Sequence, residues 1–238
     1  MQNNPKTNYS LVLPIHNPPD KWLETVITDC HELINSFNNC SLNVHIINDG
    51  EKFSDDHSLN ELYVFENLNI NLHHYFGNKG KGFALRYGFE IVKNSSGHFA
   101  YSDWDFPFGI EPFVKAFALL ENNDLILGNR GNDYFKQLPF FRKLISFSQR
   151  SVNKYILNLT NSDTQAGFKV FNKKGLESFL STKINGFLFD TEFVVKAKNN
   201  SCMIKEIPIN CRKGLHFKNF KFKVLFSELL NVKKLFKD

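Results

Sequence analysis

Short apolar runs alternate with helix-spaced apolar stripes through the first half of the chain. Tyr9 to His16 reads as a buried strand with Pro14 at its exit. Trp22, Leu23, Val26, Ile27, His31, Leu33 and Ile34 then follow a helical period, with Asp20 as the expected N-cap. Leu42 to Ile47 and Ile70 to Tyr75 predict strands, and Asp56 to Glu66 between them predicts a helix. Gly77-Asn-Lys-Gly-Lys-Gly opens a helix carrying Phe83, Ala84, Leu85, Tyr87, Phe89, Ile91 and Val92. His98 to Ser102 predicts a strand, Glu111 to Glu121 a helix, and Leu125 to Leu127 a strand. Strands alternating with helices predict an α/β fold, a mostly parallel Rossmann-like sheet flanked by helices.

Past residue 135 the pattern changes. Leu138 to Asn158 predicts a long amphipathic helix with Arg142, Lys143 and Arg150. Thr164 to Phe171 reads as a turn into a short strand, Asp190 to Lys198 as a helix, and Met203 to Ile209 as a strand. The last stretch interleaves Phe, Leu and Val with Lys. It fits either an interfacial amphipathic helix or an aromatic stripe packed on the domain. Residues 1–212 are thus expected to form one domain and 213–238 a basic, Phe-rich helical extension.

Polar signatures recur where the strands should end: Asn48-Asp49-Gly50, Asn78 to Gly82, Asp103-Trp104-Asp105 and Gly128-Asn129-Arg130. In a parallel α/β sheet that edge is where ligands bind. Two carboxylates two residues apart repel each other, and a hard divalent cation would offset the repulsion. Mg²⁺ commonly takes one or two protein carboxylates and completes its shell with phosphate and water, so Asp103 and Asp105 point to a metal-bound diphosphate. The glycine loop, with its backbone N–H groups, two lysines and a helix N-terminus, suits an anion. Asp49 could accept from a ribose hydroxyl or base N–H.

Composition narrows this little. The chain has 238 residues, 42% hydrophobic and 22% charged, which is ordinary for a globular protein. Its formal charge of +5 is mild, and no continuous basic stripe or module pattern marks a nucleic-acid binder. Phe is abundant at 26 copies. The start lacks a basic segment followed by an apolar core, and no run reaches the ~18 apolar residues of a spanning helix. Four scattered cysteines suit a reducing compartment. A cytoplasmic protein is expected, either free or peripheral at the membrane face through its tail.

Taken in order, LVLPIHN, VHIINDG, NKGKGFALRYGF, YSDWDF, GNR, DTQAGFKVF, FLFDTEF and EIPIN resemble glycosyltransferase family two. Within it they are similar to the branch of dolichyl- and polyprenyl-phosphate glucose and mannose synthases. The resemblance covers residues 9 to about 210. It implies a GT-A fold, a UDP- or GDP-sugar donor, Mg²⁺ or Mn²⁺, and inversion at the anomeric carbon. Asp103 and Asp105 match the metal-binding pair, with Asp103 also at the nucleotide. Pro14, Asn17, Asp49, Asn78, Lys81, Arg86, Ser102 and Arg130 match the nucleotide-sugar site. Asp163, Gln165 and Glu192 match the reaction centre, with Asp190 beside Glu192 at its mouth. Arg130 and Arg142 would hold an acceptor phosphate.

Several positions depart from the family pattern: Asn48 replaces a carboxylate, Trp104 a small residue, Phe106-Pro107 a Leu-Gln or similar pair that could add a metal ligand, and Ala166 a cysteine. Trp104 is expected to reshape the sugar pocket. The expected chemistry is metal-assisted direct displacement onto a polyprenyl phosphate. A glycan hydroxyl as acceptor would need a base, Asp163 or Glu192. A non-catalytic nucleotide-sugar-binding scaffold is the alternative outside catalysis.

Overall fold

The structure, a computed structural model, describes residues 7–37, 39–50, 61–95, 97–131, 134–135, 150, 153, 163–186 and 188–212. The helix expected over 138–158, with all but two of its residues and with Arg142, and the extension 213–238 lie outside them. The elements in chain order are β1 (Thr7–Ile15), α1 (Trp22–Asn35), β2 (Cys40–Asn48), β3 (Glu61–Phe65), β4 (Leu68–His74), α2 (Lys81–Val92) and β5 (His98–Ser102). Then come α3 (Glu111–Leu119), β6 (Leu125–Asn129), β7 (Phe168–Phe171), α4 (Lys173–Leu180), α5 (Phe189–Asn199) and β8 (Ile204–Pro208).

The strands form one sheet in the order β3-β4-β2-β1-β5-β7-β6-β8. β1 pairs in parallel with β2 and β5, β2 with β4, and β6 with β8. β7 lies antiparallel between β5 and β6, and β3 antiparallel to β4. The sheet is therefore mixed and, with four of its seven pairings parallel, mostly parallel as expected. Residues 61–65, expected as the end of a helix, are the edge strand β3. Their alternative pairing partner, β4, is reached through a tight turn at Glu66, where φ is +45°.

Successive residues of a strand point to opposite faces, and here both faces are covered. Leu11, Leu13 and Ile15 of β1 join Val26, Cys30 and Leu33 of α1 and Phe113 and Phe117 of α3 in one core. Val12 points the other way, into a second core with Ala84, Leu85 and Phe89 of α2, Phe179 of α4 and Phe193 of α5. That second core absorbs much of the phenylalanine. Phe179 stands 5.0 Å from Phe89 and 4.9 Å from Phe193, ring centre to ring centre, near edge-to-face. Helix α1 begins one residue later than Asp20 suggested: its N-cap is Lys21, at φ +63° and without a side-chain cap bond. The four cysteines are free thiols. Among the described residues no helix is long and apolar enough to cross a membrane.

Helix α2 sits close on its surroundings because its glycines leave no side chain in the way. A Cβ on Gly88 would stand 2.6 Å from Val12, and one on Gly82 would stand 2.5 Å from the Ile184 carbonyl oxygen and 2.7 Å from Phe189 Cβ. Backbone cannot yield as a side-chain tip can. Gly82→Ala is therefore expected to destabilise the fold by about 1–3 kcal/mol despite alanine's better helix propensity. A lowered urea midpoint at unchanged m-value would show it; an unchanged midpoint would mean the 184–189 segment moves aside freely.

Candidate active site

The strand order turns back on either side of β1, which has β2 on one flank and β5 on the other. Ligands in open α/β sheets bind at such a reversal, beyond the carboxyl ends of the strands. Asn17, Asp49, Asp103 and Arg130 follow the ends of β1, β2, β5 and β6, four parallel strands, so all four lie along this edge.

Asp49 does not offer its carboxylate outward. It is 4% exposed, and it accepts from the backbone N–H groups of Lys79 at 2.7 Å and Gly80 at 2.9 Å and from the Tyr75 hydroxyl at 2.7 Å. The glycine loop thus does cradle an anion, but the anion is the protein's own. Proximity demands the glycines: a Cβ on Gly50, where φ is +82°, would fall 2.1 Å from the Gly77 carbonyl carbon. Burial and the bond to Asp49 raise the Tyr75 pKa far above its ordinary value, so Tyr75 stays a donor.

Asp103 and Asp105 occupy the turn after β5, closed by a bond from the Phe106 N–H to the Asp103 carbonyl at 3.1 Å. Phe106 takes φ +42° there, held by its fully buried ring against Phe113. Trp104 is half-buried and packs against the core that includes residues of α1 and α3. The Asp103 side chain is 42% exposed and receives the Lys81 ammonium at 2.5 Å. Burial works against the Lys81 charge, but Asp103, Asp190 and Asp105 outweigh it and raise its pKa. Burial, and then the neighbouring Asp103, raise the pKa of Asp105. The turn is therefore short of positive charge, and its donors suit a hard cation that takes its remaining oxygens from a diphosphate. Among the described residues no cluster of three or more His, Cys, Asp or Glu exists to hold a metal by protein alone.

Arg130 was expected at a phosphate and Asp163 at the reaction centre; they hold each other. Arg130 donates from Nε at 2.9 Å and from Nη2 at 2.6 Å to the two Asp163 oxygens, and its backbone N–H adds a third bond at 2.9 Å. Burial alone would raise the Asp163 pKa, but the bonds and charge of Arg130 bring it below the ordinary carboxylate range. Arg86, expected at the nucleotide sugar, and Glu192, expected at the reaction centre, are also held by protein groups. Arg86 donates to Thr182 Oγ1 at 3.2 Å and to the Ile184 carbonyl at 2.8 Å, and it also reaches Asn185. Glu192, 3% exposed, accepts from the backbone N–H groups of Lys183 at 2.9 Å and Ile184 at 2.7 Å. Together they clamp the 182–185 loop, because a buried carboxylate finds its partners in the nearest unpaired amides.

The other expected positions fall around this edge. Pro14 is buried in β1, and Ser102 is the buried last residue of β5. Asn17, exposed at φ +49°, bonds its own neighbour His16 at 3.2 Å. Asn78 is exposed on the glycine loop, and Gln165 is half-buried two residues after Asp163.

Three features escaped the sequence reading. Lys169 of β7 is 1% exposed and pairs with buried Asp190, which also accepts from Tyr101 Oη at 2.5 Å. Gly167 backs directly onto the ion pair of the Asp103 turn, where a Cβ would come within 2.7 Å of Asp103 Oδ2. Arg212, after β8, donates its backbone N–H to the Pro107 carbonyl at 2.8 Å and grips Asp29 of α1 with both terminal nitrogens, at 3.0 and 2.6 Å. A carboxylate at position 29 inside an apolar helix stripe was the one advance sign that such a partner must exist.

No family model matches the chain. It is 27% identical over 157 residues to the dolichyl-phosphate beta-glucosyltransferase of Saccharomyces cerevisiae, covering 56% of this chain and 44% of that one. It is 24% identical over 106 residues to an uncharacterized protein of Methanocaldococcus jannaschii, covering 43% of each. The chain thus matches under half the length of these curated relatives. Among solved structures it is similar to mannosyl-3-phosphoglycerate synthase from Rubrobacter xylanophilus, with TM-score 0.65, 15% identity, and 96% of this chain and 72% of that one covered. Glucosyl-3-phosphoglycerate synthase from Mycobacterium tuberculosis, in complex with Mn²⁺, UDP and phosphoglyceric acid, gives TM-score 0.57 at 15% identity, with coverage of 97% and 77%. The chain therefore has the GT-A fold of these solved structures, and part of its sequence is similar to a dolichyl-phosphate glucosyltransferase.

Proposed function

We propose that this chain is an inverting hexosyltransferase that moves a sugar from a UDP- or GDP-sugar to an acceptor phosphate, with a polyprenyl phosphate as the acceptor class. The observation that carries the reading is the Arg130–Asp163 pair. A hydroxyl acceptor needs a base, and a carboxylate held below its usual pKa by a bidentate arginine is a poor one. Glu192, the other candidate, is spent on backbone amides. A phosphate acceptor is already an anion and needs neither. The relative in Saccharomyces cerevisiae is named for a dolichyl-phosphate acceptor.

In this reading Asp105 and Asp103 hold a divalent cation. Bound there, it would neutralise the diphosphate as the sugar leaves. Lys81 and Asn78 lie beside the diphosphate, and Pro14, Asn17, Asp49 and Ser102 frame the nucleoside end, Asp49 by fixing the glycine loop. Asp163 holds Arg130 aimed at the acceptor phosphate, a role shared with Arg142, and Gln165 lies at the sugar. A lipid acceptor must be met at a membrane face. Phe76, 90% exposed at the turn leading into the glycine loop, offers an apolar foothold on the same edge.

The test is transfer by the purified protein from a panel of UDP- and GDP-sugars to undecaprenyl or dolichyl phosphate, with Mg²⁺ or Mn²⁺. EDTA should abolish it, and Asp105→Asn should lower the rate by about a thousandfold or more, the order of several kcal/mol of lost leaving-group stabilisation. Product on 3-phosphoglycerate or on a glycan instead would sink the lipid acceptor. Donor binding without transfer to any acceptor would favour a scaffold.

The Arg130–Asp163 pair also makes a prediction about stability. Because the folded pKa of Asp163 is depressed, its contribution is complete above the ordinary carboxylate value and is lost as pH falls through the depressed one. Arg130→Ala strands a buried carboxylate and should cost about 3–5 kcal/mol at neutral pH. Without Arg130 burial raises the Asp163 pKa, so the deficit against wild type, read from urea midpoints, should begin to shrink above the ordinary carboxylate value of about 4 and go on shrinking as pH falls further. A deficit that is constant down to lower pH would mean the pair is not its source.

A further inference from the structure

The Lys81 ammonium occupies a place prepared for it, and that place is also the cation's. Its partner Asp103 is a ligand of the proposed metal site, and the two meet at 2.5 Å. Gly167 leaves room for them as they stand, since a Cβ would come within 2.7 Å of Asp103 Oδ2 and 3.3 Å of Lys81 Nζ and push the two tips aside. Asp105 and Asp190 are the further carboxylates that act on Lys81. Asp190 already has Lys169, whereas Asp103 pairs with Lys81, and Asp105 feels Lys81 together with Arg212, whose own partner is Asp29. The lysine is 24% exposed and stands on the first residue of α2, beside the loop where a diphosphate would lie.

We propose that Lys81 is a built-in competitor of the divalent cation, a positioning residue that couples metal binding to nucleotide binding. Without nucleotide, its ammonium partly neutralises Asp103 and weakens the hold on a metal. A nucleoside diphosphate gives Lys81 another anion to meet and leaves Asp103 to the metal. The two ligands then bind with positive cooperativity, the lysine being the element both act on. This inference rests on the nucleotide-sugar reading of the site.

The test is Mn²⁺ binding to the whole protein, read as loss of the free-Mn²⁺ paramagnetic resonance signal, with and without UDP. Lys81→Met should bind Mn²⁺ alone about tenfold more tightly than wild type, a modest gain because the pair is partly exposed. UDP should tighten Mn²⁺ binding in wild type and much less in Lys81→Met. Lys81→Arg, which keeps the charge, should stay near wild type, and unchanged thermal melting of both variants would show that they fold. If wild type binds Mn²⁺ with UDP but Lys81→Met binds Mn²⁺ alone no better, the competition is wrong and the site reading stands. If wild type binds neither UDP nor Mn²⁺ with UDP, the site reading fails and takes the competition with it.

Discussion

The carboxylate of Asp49, buried at the end of β2, is the constraint on which the rest of the edge depends. It takes two backbone N–H groups of the glycine loop and a tyrosine hydroxyl, and so fixes where α2 begins. A buried charge without those bonds would be far too costly to keep, so the loop has little freedom to lie elsewhere. From that fixed start α2 carries Lys81 to Asp103 and Arg86 to the 182–185 loop. The second clamp, Glu192, reaches the same loop from α5. Two sides of the site are thus tied to one anchoring carboxylate that touches neither the metal turn nor Arg130.

The alternation of elements was legible because each strand is a compact apolar run and each helix an apolar stripe, and both survive in the two cores. What the sequence hid was pairing over distance. Nothing local in Phe168-Lys-Val-Phe says that it inserts antiparallel between β5 and β6, since strand direction is decided by the path of the chain between them. Glu61 to Phe65 was misread for a related reason. Its helical look is a weak local preference, and the ladder to β4 overrides it.

The site was legible by place and less so by role. Every loop singled out at a strand end does lie on one edge, because strand ends are marked by Asp, Asn and Gly that tolerate turns. Which carboxylate faces solvent and which is consumed by its neighbours depends on partners distant in the chain: Tyr75 for Asp49, Arg130 for Asp163, Lys183 and Ile184 for Glu192. Lys169 shows the converse. In a short apolar strand it reads as a solvated interruption, yet its register opposite Tyr101 places it over buried Asp190.

The position of β7 has a consequence for how the chain folds. β5 and β6 do not touch each other; each borrows its neighbour from a strand made much later in the chain. Until Phe168–Phe171 arrives, both present unpaired amides along an edge, and β6 waits for β8 on its other side as well. Such non-local closure slows folding and leaves apolar strand edges open to pairing between chains. The backbone pairing of β4, β2, β1 and β5 is complete by Ser102, and what comes later for this half is the helical cover from α3, α4 and α5. The pairings of the early half can therefore form during synthesis, while the edge that carries Arg130 closes last and is the segment most dependent on slow chain growth or chaperone cover.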